Sequence, residues 1–200
     1  ELADLPVGPI QVAFVVSESM VALGYPVRFQ EQIHGAISEY VWDFGDGTRV
    51  TNSLSVEEHA WATAGTFDVV LTAYNADWPD GVSATQEVVI VDAEETAIYV
   101  STDGDDAYDG TSWASAKKTI QAGVDAQIYV GGFVRLRNGT YFLTKTITVF
   151  KPVRIVGVDG PGSTIVDGRD SVRCFNLGNT ACVIEGLTIT NGYSSSGGGI

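Results

Sequence analysis

The run Tyr40-Val41-Trp42-Asp43-Phe44-Gly45-Asp46-Gly47-Thr48 constrains this chain more than any other stretch. Tyr40, Trp42 and Phe44 alternate with other residues at the period of a β-strand, so three large rings are expected on one face as a core layer. Gly45 and Gly47 then give the backbone the freedom that a tight acidic turn requires. A half-buried strand ending in such a turn is a building block of a β-sandwich, and it brings no obvious chemistry with it.

Partners for this strand follow at regular distances. They are His59-Ala60-Trp61, then Ala64-Gly65-Thr66-Phe67 leading into the alternating Val69-Val70-Leu71-Thr72-Ala73-Tyr74, and a closing run Glu87-Val88-Val89-Ile90-Val91. Pro26-Val27-Arg28-Phe29 reads as an entry strand. Strands are therefore expected over 11–16, 27–30, 39–44, 67–74 and 87–91, short and divided by turn chemistry as in a sandwich. Over residues 8 to 93 the chain resembles the PKD (polycystic kidney disease) family in its Trp-Asp-Phe-Gly-Asp-Gly block, its His-x-aromatic and its Gly-Thr-aromatic strand. That resemblance implies an immunoglobulin-like sandwich over residues 1–93, with His59 in a structural role beneath the aromatic strand.

Of the chain's net charge of −14, all sits on the first half: residues 1 to 96 hold 16 acidic side chains against Arg28 and Arg49, whereas residues 97 to 200 balance nine acids with nine bases. Phosphate would be repelled by such a domain, so nucleic acid is not an expected partner. No apolar run is long enough to span a bilayer, so no membrane insertion is expected. The start at Glu1, without a basic and apolar leader, fits a processed secreted chain or a trimmed piece of one. Cys174 and Cys182 are too few for a thiolate zinc site. They could pair as a disulfide outside the cell, or serve as small buried hydrophobes.

After a polar link at Asp92-Ala93-Glu94-Glu95-Thr96 the pattern changes. Ala116, Ile120 and Val124 stand four apart and predict one short helix over 115–126. Beyond it, brief β-rich pieces separated by Gly, Asn and Asp repeat: 147–149 against 175–177 at an offset of 28, and 153–155 against 183–185 at an offset of 30. Such a period suits one coil of a parallel solenoid, with the helix closing its apolar end. Tyr99-Val100-Ser101-Thr102-Asp103-Gly104-Asp105-Asp106, Gly110-Thr111-Ser112-Trp113, Lys118-Thr119-Ile120-Gln121-Ala122, Asn138-Gly139-Thr140-Tyr141 and Glu185-Gly186-Leu187-Thr188-Ile189-Thr190-Asn191-Gly192 resemble the opening of right-handed parallel β-helix proteins of the pectate-lyase-like superfamily. The expected fold is thus all-β: a sandwich over 1–93, then over 94–200 a capping helix and the first two to three coils of a truncated β-helix. A further coil is expected to begin at 196–200, and the uncapped C-terminal end would favour self-association.

Candidate chemistry is sparse. Asp103, Asp105, Asp106 and Asp109 form an acidic turn that could hold calcium, the one cofactor the residues suggest, although Ala107 stands where a helix-loop-helix calcium site needs an oxygen ligand. The competing reading is a turn whose carboxylates cap backbone N–H groups. Asp159, Asp167, Arg169, Asp170 and Arg173 gather acids and bases in Gly-rich connections, where turn roles are the commoner explanation. His34 reads as a loop residue. Trp78, beside Pro79-Asp80-Gly81, is the aromatic placed to stack on a sugar ring. No catalytic residue is assigned. The expected role is a non-catalytic extracellular or cell-surface module for adhesion, spacing or contact with a polysaccharide or surface protein. The alternative is a piece of a secreted polysaccharide lyase or glycoside hydrolase whose catalytic coils lie beyond residue 200.

Overall fold

In the computed structural model, residues 6–51, 55–178, 181–195, 197 and 199 are described. The chain divides into two units between Val91 and Asp92.

Among the described residues, the first unit has eight strands: β1 (Gln11–Val16), β2 (Met20–Ala22), β3 (Val27–His34), β4 (Glu39–Asp43), β5 (Arg49–Thr51), β6 (Val56–His59), β7 (Gly65–Tyr74) and β8 (Val82–Val91). One sheet runs β1-β3-β6 and the other β2-β8-β7-β4-β5; all pairings are antiparallel except β2 with β8. Alternation along β7 buries Val69, Leu71 and Ala73, and Trp42 on β4 is fully buried. Phe14 and Phe29 enter from the other sheet, with ring centroids 5.0 and 5.7 Å from that of Trp42, so aromatic side chains of both sheets form one layer between them. Tyr40, expected in the same layer, is only half-buried.

Three strands escape the sequence reading. β2 and β5 have three residues each, and β6 (Val-Glu-Glu-His) is too polar to show an apolar alternation. β3 also runs four residues further than expected: His34 is not in a loop but pairs with Gln11 at the end of the strand. Cross-strand hydrogen bonding extends a strand past the point where its apolar signal stops.

The second unit holds β9 (Ile98–Val100), a single 3₁₀ turn (Trp113–Ser115), α1 (Ile120–Ala126), β10 (Gly132–Leu136), β11 (Gly139–Phe142), β12 (Ile147–Val149), β13 (Val153–Gly157), β14 (Thr164–Asp167), β15 (Phe175–Leu177), β16 (Val183–Glu185) and β17 (Thr188–Thr190). These strands form three small parallel sheets, β16-β13-β10-β9, β11-β14-β17 and β12-β15. Each pass of the chain adds one strand to each sheet in turn, first β10, β11 and β12, then β13, β14 and β15. Val134, Leu136, Tyr141, Val149, Val153, Ile155, Val166 and Phe175 point into one shared core.

The expected register holds for one pair and slips for the other. Ile147 pairs with Phe175, at the offset of 28, but Val183 faces Arg154 rather than Val153, an offset of 29. That register sets Ile184 beside Ile155 and leaves Val183 exposed; a one-residue shift would turn Ile184 outward. The expected further coil at 196–200 falls mostly outside the described residues, of which it includes Gly197 and Gly199.

The helix is shorter than predicted. Residues 116–119 are not helical: Lys117 bridges Val100 in parallel, and Thr119 is the N-cap, its side chain accepting the Ala122 N–H at 3.2 Å. Ala116 is buried all the same, while Ile120 and Val124 lie in the core cluster. After the helix, the fully buried Gln127 donates to Thr96 O at 2.6 Å and Phe133 O at 2.8 Å and accepts from the Tyr129 N–H at 2.9 Å. Replacing it with methionine keeps the volume but strands three buried backbone groups. A loss of roughly 2–3 kcal/mol is expected for Gln127→Met, read as a lower urea midpoint of the second unit by hydrogen exchange.

Candidate functional site

The acidic turn between β9 and the 3₁₀ element is occupied by its own backbone. Asp106 Oδ1 accepts the N–H groups of Lys118 and Thr119, both at 2.8 Å, and its Oδ2 accepts the Thr119 hydroxyl at 2.9 Å. Asp109 Oδ1 accepts the Thr111 N–H, the Thr111 hydroxyl and the Ser115 hydroxyl, and Asp105 accepts the Ala107 N–H. Burial raises the Asp106 carboxyl, but the Thr119 and Lys118 donors outweigh it and hold it below the ordinary carboxylate range. Donors from Thr111 and Ser115 lower Asp109 in the same way. Asp103 contributes its N–H to Ser101 Oγ. Among the described residues, no three His, Cys, Asp or Glu side chains gather in a group able to hold a metal ion. The donor set thus fits capping better than it fits calcium, which needs six or more free oxygen ligands.

Cys174 and Cys182 are free thiols. Cys174 is fully buried, donating to Thr190 O at 3.5 Å, and desolvation pushes both thiols up. The acid and base cluster disperses into turn contacts. Asp159 accepts the Asn138 N–H, Asp167 accepts from Arg169 N–H and Asn191 Nδ2, and the Arg169 guanidinium lies over the Phe142 ring.

In the first unit, Trp78 stands 47% exposed between β7 and β8. Its loop is pinned from below. The buried Asn75 accepts the N–H groups of Asp77 and Trp78 and donates to the carbonyls of Gly8 and Ala36. Gly81 has φ of 80°, and a Cβ there would strike Thr72 and Tyr74. A tryptophan on so constrained a loop presents its ring at little entropic cost.

His59 is structural in its contacts. The His59 ring stacks on Phe44 at 4.2 Å and meets the edge of Trp61 at 4.7 Å, while its Nε2 lies 2.8 Å from Asp46 Oδ2. Trp61 Nε1 in turn donates to Phe44 O. Burial raises the Asp46 carboxyl, but hydrogen bonds from Thr48 and His59 bring it below its usual range, and at Asp43 the Gly45 N–H and Arg49 do the same against burial.

One feature had no signal in the sequence. A groove of about 830 Å³ runs beside α1, β11 and β12, with Lys118, Gln121, Thr140, Phe142, Lys145 and Thr148 on its walls. A shallower space of about 410 Å³ shares Thr146 and Thr148 with it and continues toward Arg173, Asn176 and Tyr193. The residues come from segments up to 92 positions apart, from Thr102 to Ser194, and the fold brings them together.

With this geometry in hand, residues 11–91 match the PKD domain family model, and this stretch of the chain is a PKD domain. Three solved structures are similar to parts of the chain. One is described as a structural basis for the promiscuous specificity of carbohydrate-binding modules from the β-sandwich superfamily; it is 25% identical, with 43% of this chain covered and a TM-score of 0.37. This chain spans 36% of that structure's length. The PKD1 domain of the Vibrio cholerae metalloprotease PrtV is 23% identical, covering 40% of this chain and 93% of that one, with a TM-score of 0.32. The PKD domain of the human VPS10 domain-containing receptor SorCS2 is 20% identical, covering 46% and 80%, with a TM-score of 0.36. No curated protein matches the chain. Among the described residues, no helix is long and apolar enough to cross a membrane.

Two expectations follow from these contacts. Asp43 and Asp46 are depressed, so their contribution to stability is present above the unfolded carboxylate value of about 4 and is lost as pH falls through their lower folded values. Thermal unfolding between pH 7 and 2 should show the sandwich weakening only below about pH 4, with Asp46→Asn flattening that slope. Millimolar calcium is expected to leave the unfolding midpoint of the second unit unchanged. Asp106→Ala should lower that midpoint with or without the ion, because what it removes is a cap.

Proposed function

We propose that this segment is a non-catalytic extracellular or cell-surface module of a larger protein, serving adhesion, spacing or contact with a polysaccharide or surface protein. The PKD domain at residues 11–91 carries this reading. In it, residues 1–93 form the spacer or presenting domain, and residues 94–200 form the N-terminal cap and first coils of a right-handed parallel β-helix.

The β-helix reading is supported by the three parallel sheets and by the recurrence of one strand per sheet in each pass. Right-handedness is what parallel crossovers adopt almost without exception. A capping role for α1 is supported by Gln121. Its carboxamide donates to Thr148 O at 3.2 Å and accepts the Thr148 N–H at 2.7 Å, so one side chain fills backbone positions of β12 that another strand would otherwise take.

Contact with a glycan through the first unit is supported by Trp78, whose exposed ring sits on a loop fixed by Asn75. Such a ring stacks against the apolar face of a pyranose. Trp78→Ala is expected to weaken binding to the best ligand of a glycan screen about tenfold, measured by isothermal titration calorimetry, with the unfolding midpoint unchanged. Unchanged binding in this variant would remove Trp78 from the site. The appearance of reducing ends or unsaturated products from this segment alone would overturn the non-catalytic reading.

A further inference from the structure

The first strand of a sheet presents one row of N–H and C=O groups with no neighbouring strand, and such an edge is either covered or open to another chain. In the second unit, β9, β11 and β12 are the first strands of the three parallel sheets. Backbone closes the edge of β9: the Tyr99 N–H donates to Gly110 O, Tyr99 O accepts the Lys117 N–H, and the Ser101 N–H donates to Lys117 O. Gln121 closes the edge of β12 through the N–H and carbonyl of Thr148. β11 has no comparable cover among the described residues.

Gly139 and Leu143 send their N–H groups to Ser163 O and Asp167 O, so alternate residues counted from Gly139 face β14. The backbone groups of Thr140 and Phe142 therefore face the other way. No described residue accepts the N–H of either one or donates to its carbonyl. Both residues line the groove of about 830 Å³, together with Thr102, Asp106, Lys118 and Lys145. The groove is thus the space beside an open strand edge.

Its charge is one-sided. Lys118 and Lys145 are exposed, and their ammonium groups make no hydrogen bond or ion pair with any described residue. The single carboxylate on the lining, Asp106, is occupied by the Lys118 N–H, the Thr119 N–H and the Thr119 hydroxyl. Unpaired amides and carbonyls beside two free cations are the complement of an extended chain that carries acid groups.

We infer that this groove takes up an extended acidic segment of a partner protein as an added strand beside β11. The segment pairs with the backbone groups of Thr140 and Phe142, and its carboxylates face Lys118 and Lys145. Main-chain pairing supplies affinity for an extended chain, and the lysines select the one with acidic side chains. The inference deepens the surface-protein part of the proposed function and rests on that reading. Trp78 takes no part in it, so the two can fail separately.

The test uses the whole chain with an octapeptide alternating valine and glutamate, the same peptide with lysine in place of glutamate, and the acidic peptide with every backbone amide N-methylated. Hydrogen exchange followed by NMR should show the Thr140 and Phe142 amides slowed at least about tenfold at saturating acidic peptide. Calorimetry should show an affinity that falls as salt rises, is absent for the lysine peptide and is lost on N-methylation. Lys118→Ala/Lys145→Ala should weaken it about tenfold, with an unfolding midpoint like the parent's as the check that the fold survives. The inference is overturned if the acidic peptide does not bind, if the two amides exchange unchanged at saturation, or if the N-methylated peptide or the double lysine variant binds as tightly as its parent. Protection of the same amides that rises with the chain's own concentration, without peptide, would overturn it by making a second copy the occupant. Glycan binding that depends on Trp78, with no peptide bound, would overturn the added strand and leave the module reading in place.

Discussion

The second unit depends on one carboxylate. Asp106 reaches twelve and thirteen positions along the chain to take the N–H groups of Lys118 and Thr119. Holding those two residues outside the helix prevents it from starting earlier, and Thr119, itself extended, then caps it. Ile120 and Val124 are thereby fixed over the core that the parallel strands share, and Gln121 is set against the edge of β12. The same placement turns Lys118 outward into the groove. A single charge-assisted cap thus determines both where the helix starts and what chemistry the adjoining surface presents.

Parallel stacking explains why the groove exists at all. In each strand alternate residues go inward, so Ile147 and Val149 are buried while Thr146 and Thr148 line the outer face. The next pass repeats this at β15, where Phe175 is buried and Asn176 is exposed beside Thr148. Rows of small polar side chains result, spaced by the distance between strands, with the larger Phe142 at the end of β11 and Tyr193 after β17. A surface of this kind is long, shallow and rich in hydroxyls, which suits an extended ligand better than a compact one.

Much of the fold could be read in the sequence because its periodicities are strong. Trp42, Phe44, Val69 and Leu71 announced the sandwich core, and Ile147 was correctly set against Phe175. What escaped was governed by contacts far apart in the chain. β6 is a strand because Glu57 and Glu58 face Phe29 and Arg28, a pairing invisible in a polar tetrapeptide. The helix starts where it does because of Asp106, and the pattern Ala116, Ile120, Val124 could not reveal that Lys117, beside the buried Ala116, bridges β9 instead. Trp78 stood out by its neighbours; the groove did not, because lysines and threonines carry no periodic signal.

The two units use acidic residues in opposite ways. In the sandwich, Asp43 and Asp46 brace the turn of the Trp-Asp-Phe-Gly-Asp-Gly block: Asp43 takes the Gly45 N–H and Arg49, Asp46 the Thr48 N–H and His59. Most of the other acids there have no base to meet, since Arg28 and Arg49 are the first unit's only cations, and they leave it a strongly anionic surface. The second unit, residues 92–200, holds twelve acids and nine bases, and two of the bases without acid partners, Lys118 and Lys145, lie at one groove. An anionic polymer would therefore be repelled more strongly by the first unit than by the second. That division follows from charge placement alone.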